Sequence, residues 1–342
     1  MIYKNLEITN IADLDIDESG VTWYRFPKTV YETIESENGK IQCIGSTGVE
    51  LRFVMKSDKV TIKMQATSPI SSMITSTFHI FRGGIQGGFE DSEINKYVPY
   101  NEACFEIHKS KNLDELKQIA KLSCDGWDPE VVRVIFDRGR YKIIDVIGDI
   151  EPPRPHQCPS KIILNYGSSI THGSNSLDIS HSWPSVLAHN LKMDNRNLGM
   201  AGSCALEPSI IDYIASQGEK GNWNIATLGI GINVLDWDIK KMYSRCENAI
   251  KQIAGRNADK PVFIISPILC YKSFDPLNKT SVWRDVIKNT VNKLNLPNVT
   301  LINGLDLIND YSLISADSVH PNIYGVQQIA EKMTKIISEK IK

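Results

Sequence analysis

The 342-residue sequence predicts a chain of two parts: a mostly antiparallel β-sandwich domain over residues 1–150, then an α/β domain with a parallel sheet over residues 160–342. Three observations carry this prediction. The first part holds short segments in which apolar and polar residues alternate, the period of a strand with one buried face. The second holds short, largely apolar runs separated by stretches of helical spacing, the pattern of strands buried on both faces of a parallel sheet. Between them, residues 151–159 (EPPRPHQCP) place four prolines in nine positions, which removes backbone donors and extends the chain as a linker.

The elements follow in order. Residues 49–55 and 60–65 (VTIKMQ) alternate apolar with polar side chains. Residues 73–81 (MITSTFHIF), 104–108, 131–136 and 141–147 are short and rich in β-branched or aromatic residues, with Gly, Asp, Asn or Ser clusters between them. Strands at this spacing suit a sandwich. Residues 113–122 fit a helix or a strand equally well. Beyond the prolines, strands are expected at 162–166 (IILNY), 225–230 (IATLGI), 262–265 (VFII) and 299–302 (VTLI), with a shorter one at 196–198. Helices are expected at 181–191, 207–216, 239–253 and 281–294, and from 323 to the C-terminus.

Composition narrows the function classes. With 42% hydrophobic and 23% charged residues the chain is an ordinary folded protein. Its net charge of −2 and pI of about 6.4 give no global field to gather nucleic acid or an anionic membrane, so neither is an expected partner. Cys43, Cys104, Cys124, Cys158, Cys204, Cys246 and Cys270 are scattered, with no CxxC pair for zinc or dithiol chemistry, and read as free thiols in a reducing compartment. The first ten residues lack the basic and apolar regions of a signal peptide, and no window approaches a membrane span. A cytoplasmic location is the expectation.

Ligands of an open parallel sheet bind beyond the carboxyl ends of its strands. The first such end runs into residues 167–173 (GSSITHG), where a glycine permits a sharp turn and a serine opens the next helix. The second gives residues 197–203 (NLGMAGS), and the third residues 229–233 (GIGIN), ending on a neutral amide. Asp317 and His320 stand shortly before the last helix, three residues apart, so that one turn holds both side chains on the same side.

These segments, in this order, resemble the SGNH (GDSL-like) hydrolase superfamily, over about residues 160–340. The family's Gly-Asp-Ser block matches Gly167, Ser168 and Ser169; its second-block glycine matches Gly202, its third-block asparagine Asn233, and its closing Asp-x-x-His pair Asp317 and His320. The acidic residue that usually precedes the nucleophile is Ser168 here, a position outside the triad. The runs YGSSITHG, NLGMAGSCALEP and GIGIN look like a bacterial branch carrying an added N-terminal β domain. The resemblance implies a three-layer α/β/α hydrolase domain preceded by a jelly-roll-like sandwich, and a serine esterase working without metal or cofactor. Ser169 would be the nucleophile, His320 its base, and Asp317 the acceptor that orients the imidazole. The N–H groups of Ser169 and Gly202 and the Asn233 amide would form the oxyanion hole, each donor accounting for about 2.7–4 kcal/mol of barrier. The implied substrate is a small acyl ester, acetyl first, with an acetylated sugar as the expected alcohol side.

Taken singly, each piece has a plainer reading. Gly167, Ser168 and Ser169 are turn residues, and Asp317 with His320 a cap followed by a surface histidine. Their joint order at strand ends carries the catalytic reading. His172 and Trp183 are candidate substrate contacts, with packing as the alternative; His181 stands likewise. Asp306 and Asp310 are rival carboxylates better suited to capping. Gly229 and Gly231 lack the third glycine of a dinucleotide fingerprint, since Val234 stands there. Residues 82–88 (RGGIQGG) read most simply as a flexible hairpin loop, with a flap reaching the catalytic pocket as the alternative. Two other functions stay open. The same triad suits an acyltransferase that passes the acyl group to another acceptor. The whole chain also suits a non-catalytic carbohydrate-binding protein, with Trp23, Tyr24, Phe26 and Phe81 stacking on sugar rings unless core packing claims them.

Overall fold

The computed structural model describes residues 1–68, 76–89, 93–94, 96–274 and 278–341. The chain divides into two compact units, one of residues 1–28, 43–161 and 192–194, the other of residues 29–42, 162–191 and 195–342.

The first unit is built from two antiparallel sheets. One runs in the order Ile2–Tyr3, Leu6–Thr9, Glu50–Met55, Val131–Phe136, Thr77–Arg82, Ile85–Gln86, with Ile150–Glu151 and Lys96–Tyr97 added at the side. The other runs Ala103–His108, Lys59–Ser68, Arg140–Ile147, Gly20–Tyr24, Asp13–Asp17. Alternate residues of both sheets, among them Leu51, Phe53, Ile62, Met64, Val134 and Ile143, fill one core. Part of the expected strand at 73–81 lies outside the described residues; the rest is Thr77–Arg82, which turns at Gly83 and Gly84 into a two-residue hairpin with Ile85–Gln86. The segment that suited helix or strand is the helix Leu113–Ser123, closed by Cys124 in the left-handed conformation. The expected linker is folded chain. Its first residue, Glu151, pairs with Val54, and Pro155–Gln157 forms a single 3₁₀ turn.

Of the aromatic residues proposed for sugar stacking, one belongs to this core, and Tyr24 and Phe81 are half-buried. Trp23 and Phe26 are fully buried, and Trp23 packs on Phe136 at 5.5 Å between ring centroids. Burial extends to the polar face of Glu50–Met55, which alternation alone assigns to solvent. Glu50 and Arg52 are buried there because Arg133, Asp194 and Trp127 pair with or cover them.

The second unit carries a five-stranded parallel sheet in the order Asp194–Gly199, Ile162–Gly167, Ile225–Gly229, Val262–Ile265, Val299–Ile302. Chain order therefore reverses at Ile162–Gly167, the kind of switch point beyond which ligands of open α/β sheets bind. Helices Pro208–Glu219, Ile239–Ile250 and Lys279–Leu294 pack together as one layer. Helices Trp183–Asn190, Gly304–Leu307 and Ile323–Lys340 pack as another. Two helical layers about a parallel sheet make the three-layer α/β/α architecture. Capping is local: Pro208 opens its helix at the first position, and Asp238 and Asn322 accept backbone N–H groups at theirs. The short helices Lys28–Thr33 and Glu37–Ile44, unforeseen in the sequence, lie largely in this second unit. No helix among the described residues is long and apolar enough to cross a membrane. None of the seven cysteines is in a disulfide.

Candidate active site

The strand Ile162–Gly167 ends in a tight turn into the one-turn helix Ser169–His172. A side chain at Gly167 would meet Thr171 Oγ1 at 2.2 Å and the Gly229 carbonyl at 2.8 Å, so only glycine lets the turn close over the neighbouring strand. Ser168 caps the helix by accepting the Ile170 N–H at 3.3 Å. A neutral hydroxyl thus performs the local bonding at the position where the family motif has its acid. Gly199 is equally constrained, since a Cβ there would lie 2.3 Å from the His172 nitrogen. Asn197 locks this approach by donating to the Thr171 carbonyl and accepting the Gly199 N–H, both at 2.9 Å.

Ser169 is the first residue of that one-turn helix, with 8% of its surface exposed. Its Oγ lies 2.6 Å from His320 Nε2, and His320 Nδ1 lies 2.7 Å from Asp317 Oδ2. The turn carrying the last two residues is shaped by Ser318, which adopts the left-handed conformation at φ 66°. The turn is closed by Ser315 N–H to His320 O at 2.8 Å and Ser318 N–H to Ser315 O at 2.9 Å. Asp317 Oδ1 accepts the N–H groups of Val319 and His320 at 3.0 and 2.9 Å and the Ser315 hydroxyl at 2.9 Å. Partial burial raises the carboxyl's pKa, but these bonds and the His320 ring outweigh it and hold the group well below the usual carboxylate range. An ionised Asp317 accepts the Nδ1 proton, which leaves the Nε2 lone pair facing the serine hydroxyl. The arrangement can take a proton from Ser169 and stabilise the resulting imidazolium.

Two further loops follow the strands on either side of Ile162–Gly167. Residues 200–203 form a turn closed by Ser203 N–H to Met200 O at 3.1 Å, with the exposed Gly202 at φ 66°. Asn233 sits on the 3₁₀ turn Ile232–Val234, whose Val234 carbonyl is held by Trp283 Nε1 at 3.0 Å. Asn233 Oδ1 accepts the Cys204 N–H at 3.1 Å. That bond ties the two loops together and leaves the Asn233 Nδ2 hydrogens as its donors.

The other candidates are placed differently. His172 is buried with 7% exposure, and Trp183 with 2%. Trp183 lines a small cavity with Ser168, Thr171, Ile230 and Ile329, of about 30 Å³, room for a water rather than an acyl chain. His181 is bound to its own turn, with Nδ1 2.9 Å from Asp178 Oδ2, a contact that raises its pKa. Asp310 caps the turn Tyr311–Leu313, and Asp306 lies in the first turn of Gly304–Leu307. Sequence reasoning missed Asn175, whose Nδ2 donates to Asp317 Oδ2 at 2.6 Å and to Ser315 Oγ at 2.8 Å. An asparagine at φ 63° in a polar loop carries no local sign of that task.

Residues 160–338 match the model of the GDSL-like lipase/acylhydrolase family, more than half of the chain. No curated protein sequence matches. Among solved structures, the salicylyl-acyltransferase SsfX3 from a tetracycline biosynthetic pathway superposes with a TM-score of 0.78 at 15% identity, covering 98% of this chain and 95% of its own. A family two carbohydrate esterase from Cellvibrio japonicus gives 0.64 at 12% identity, with 98% and 95% covered. One from Clostridium thermocellum, in complex with cellohexaose, gives 0.63 at 14%, with 98% and 99% covered. The two-part architecture of antiparallel sheets followed by a parallel α/β domain is thus shared across the whole length of these proteins.

Proposed function

We propose that this chain, which belongs to the GDSL-like lipase/acylhydrolase family and is an ester-bond hydrolase, cleaves short-chain acyl esters, acetyl esters of carbohydrates first, through an acyl-enzyme on Ser169. The observation that supports this most directly is the unbroken line of contacts from Ser169 Oγ to His320 Nε2 at 2.6 Å and from His320 Nδ1 to Asp317 Oδ2 at 2.7 Å. His320 takes the serine proton as Oγ attacks the ester carbonyl. The carbonyl oxygen becomes an oxyanion, met by the N–H groups of Ser169 and Gly202 and the Asn233 amide. Collapse of the intermediate expels the alcohol, which leaves with the proton from His320. Water, deprotonated by the same imidazole, then releases the acid and frees Ser169. The carbohydrate side of the reading draws on the two esterases that share the fold.

The likeness to a salicylyl-acyltransferase favours a second reading, in which a hydroxyl or amine replaces water in the second step. Hydrolysis of p-nitrophenyl acetate by the wild type and Ser169→Ala tests the first reading. A loss of several orders of magnitude is expected, and fluorophosphonate labels Ser169 in the wild type alone. Equal rates in the two proteins remove Ser169 from the mechanism. Added acceptor alcohols distinguish the outcomes: free acetate alone supports the hydrolase, and acetylated acceptor the transferase.

A further inference from the structure

The three donors assigned to the oxyanion all lie within residues 169–233, yet one of them is held from far upstream. Asn38, in the helix Glu37–Ile44, donates both hydrogens of its side-chain amide: one to the Ala201 carbonyl at 2.7 Å, the other to Ser203 Oγ at 2.7 Å. The two acceptors flank Gly202. The approach is close, since a Cβ on Gly202 would sit 2.9 Å from Asn38 Nδ2. The supporting helix also comes near at Gly39, where a Cβ would lie 2.7 Å from Ile34 and 3.8 Å from Ser203 Cβ.

The bond to Ala201 matters because of which peptide it grips. The Ala201 carbonyl and the Gly202 N–H belong to one planar unit and point in opposite directions. The turn of residues 200–203 has its closing bond from Ser203 N–H to Met200 O, a positive φ at Gly202 and none at Ala201, which is the type II pattern. Rotating its central peptide by half a turn gives type I, and that peptide is the one carrying the Gly202 N–H. We propose that Asn38 is a positioning residue for the oxyanion hole: it holds the Ala201–Gly202 peptide in the orientation that presents the Gly202 N–H to the substrate. A hydrogen bond accepted by the carbonyl also polarises the peptide and strengthens its N–H as a donor. Asn38 lies outside the residues that match the family model, so the N-terminal half of the chain contributes to the machinery.

The inference rests on the roles proposed for Ser169 and Gly202, and the experiment separates the two. Asn38→Ala, Asn38→Asp, Thr33→Ala and Ser169→Ala are compared on p-nitrophenyl acetate, with melting temperatures measured alongside. Asp keeps the shape of Asn but donates nothing and sets a charge against the carbonyl, so it carries the test even where Ala folds poorly. Thr33 bonds Ser209 Oγ at 2.8 Å from the same N-terminal segment, away from the Gly202 turn. Asn38→Ala and Asn38→Asp are expected to lower kcat about 10- to 100-fold, less than outright loss of an oxyanion donor, with KM nearly unchanged. Thr33→Ala is expected to retain wild-type kcat. Wild-type kcat in Asn38→Asp, or an equal loss in Thr33→Ala, overturns the proposal; activity surviving in Ser169→Ala overturns the underlying reading instead.

Discussion

Asn175 and His320 share one carboxylate oxygen: Asn175 Nδ2 lies 2.6 Å and His320 Nδ1 2.7 Å from Asp317 Oδ2. The acceptor of the proposed triad is therefore held from the loop that follows Ser169, across 142 residues of chain. With Ser315 and two backbone N–H groups on Oδ1, every strong acceptor direction of Asp317 is engaged, and the carboxylate has little freedom to turn away from the imidazole.

This sharing ranks two substitutions. Asp317→Asn keeps the shape but offers an amide hydrogen or a weaker acceptor to Nδ1, favouring the wrong tautomer. We expect kcat to fall by about 10⁴-fold. Asn175→Ala leaves the carboxylate in place with one donor fewer and should lower kcat by roughly tenfold, the kinetic equivalent of about 1.4 kcal/mol. Steady-state rates on p-nitrophenyl acetate rank the pair, and a larger effect at Asn175 than at Asp317 would contradict the assignment.

Asn233 uses one end of its amide to accept the Cys204 N–H, so replacement by Asp separates its two tasks. Asn233→Asp retains the oxygen that ties the loops but loses the donor. The expected result is a melting temperature close to that of wild type with kcat lowered by about 10²–10³-fold. A variant that melts early yet turns over normally would make Asn233 a structural tie alone.

Glu50 sets an acid-side dependence of stability in the first unit. Burial raises its pKa, but Arg133 and Arg52 overcome that and hold the carboxyl at about 2 against an ordinary 4.5. The folded value is depressed, so the contribution is complete above pH 4.5 and disappears as pH falls through 4.5 towards 2. Glu50→Gln leaves buried guanidinium groups short of a carboxylate and should cost about 3–5 kcal/mol at neutral pH. Urea midpoints measured from pH 7 down to pH 3 should show the gap from wild type narrowing; a constant gap would remove the charge from the explanation.

Much of the second unit is legible in the sequence. Runs 262–265 and 299–302 match their strands to the residue; the first is buried on both faces and so unbroken in apolar side chains, while the second is a half-buried edge strand that keeps Thr300. Ser169, Asp317 and His320 could be picked out because the motifs that resemble the family's stand after a strand end and before the last helix. The strands at Leu6–Thr9, Asp13–Asp17 and Gly20–Tyr24 went unread. Asp13–Asp17 shows the reason: it alternates Leu14 and Ile16 with three aspartates, and β-propensity scores acidic residues poorly even where they face water. Glu50 and Arg52 misled in the opposite sense, since alternation places them outward and only their partners from distant segments bury them.

The sequence by itself determined the order of the layers, which depends on periodicity, and through its family motifs it named the residues proposed to react. Tertiary structure decided what holds those groups in place. Asn38 against the Gly202 turn, Asn175 against Asp317 and Cys204 against Asn233 are hydrogen bonds between separate segments of the chain. Such a bond has no period and no local propensity, since its partner is set only once the backbone has folded. For that reason the chemistry could be read along the chain, while its orientation could be read only across it.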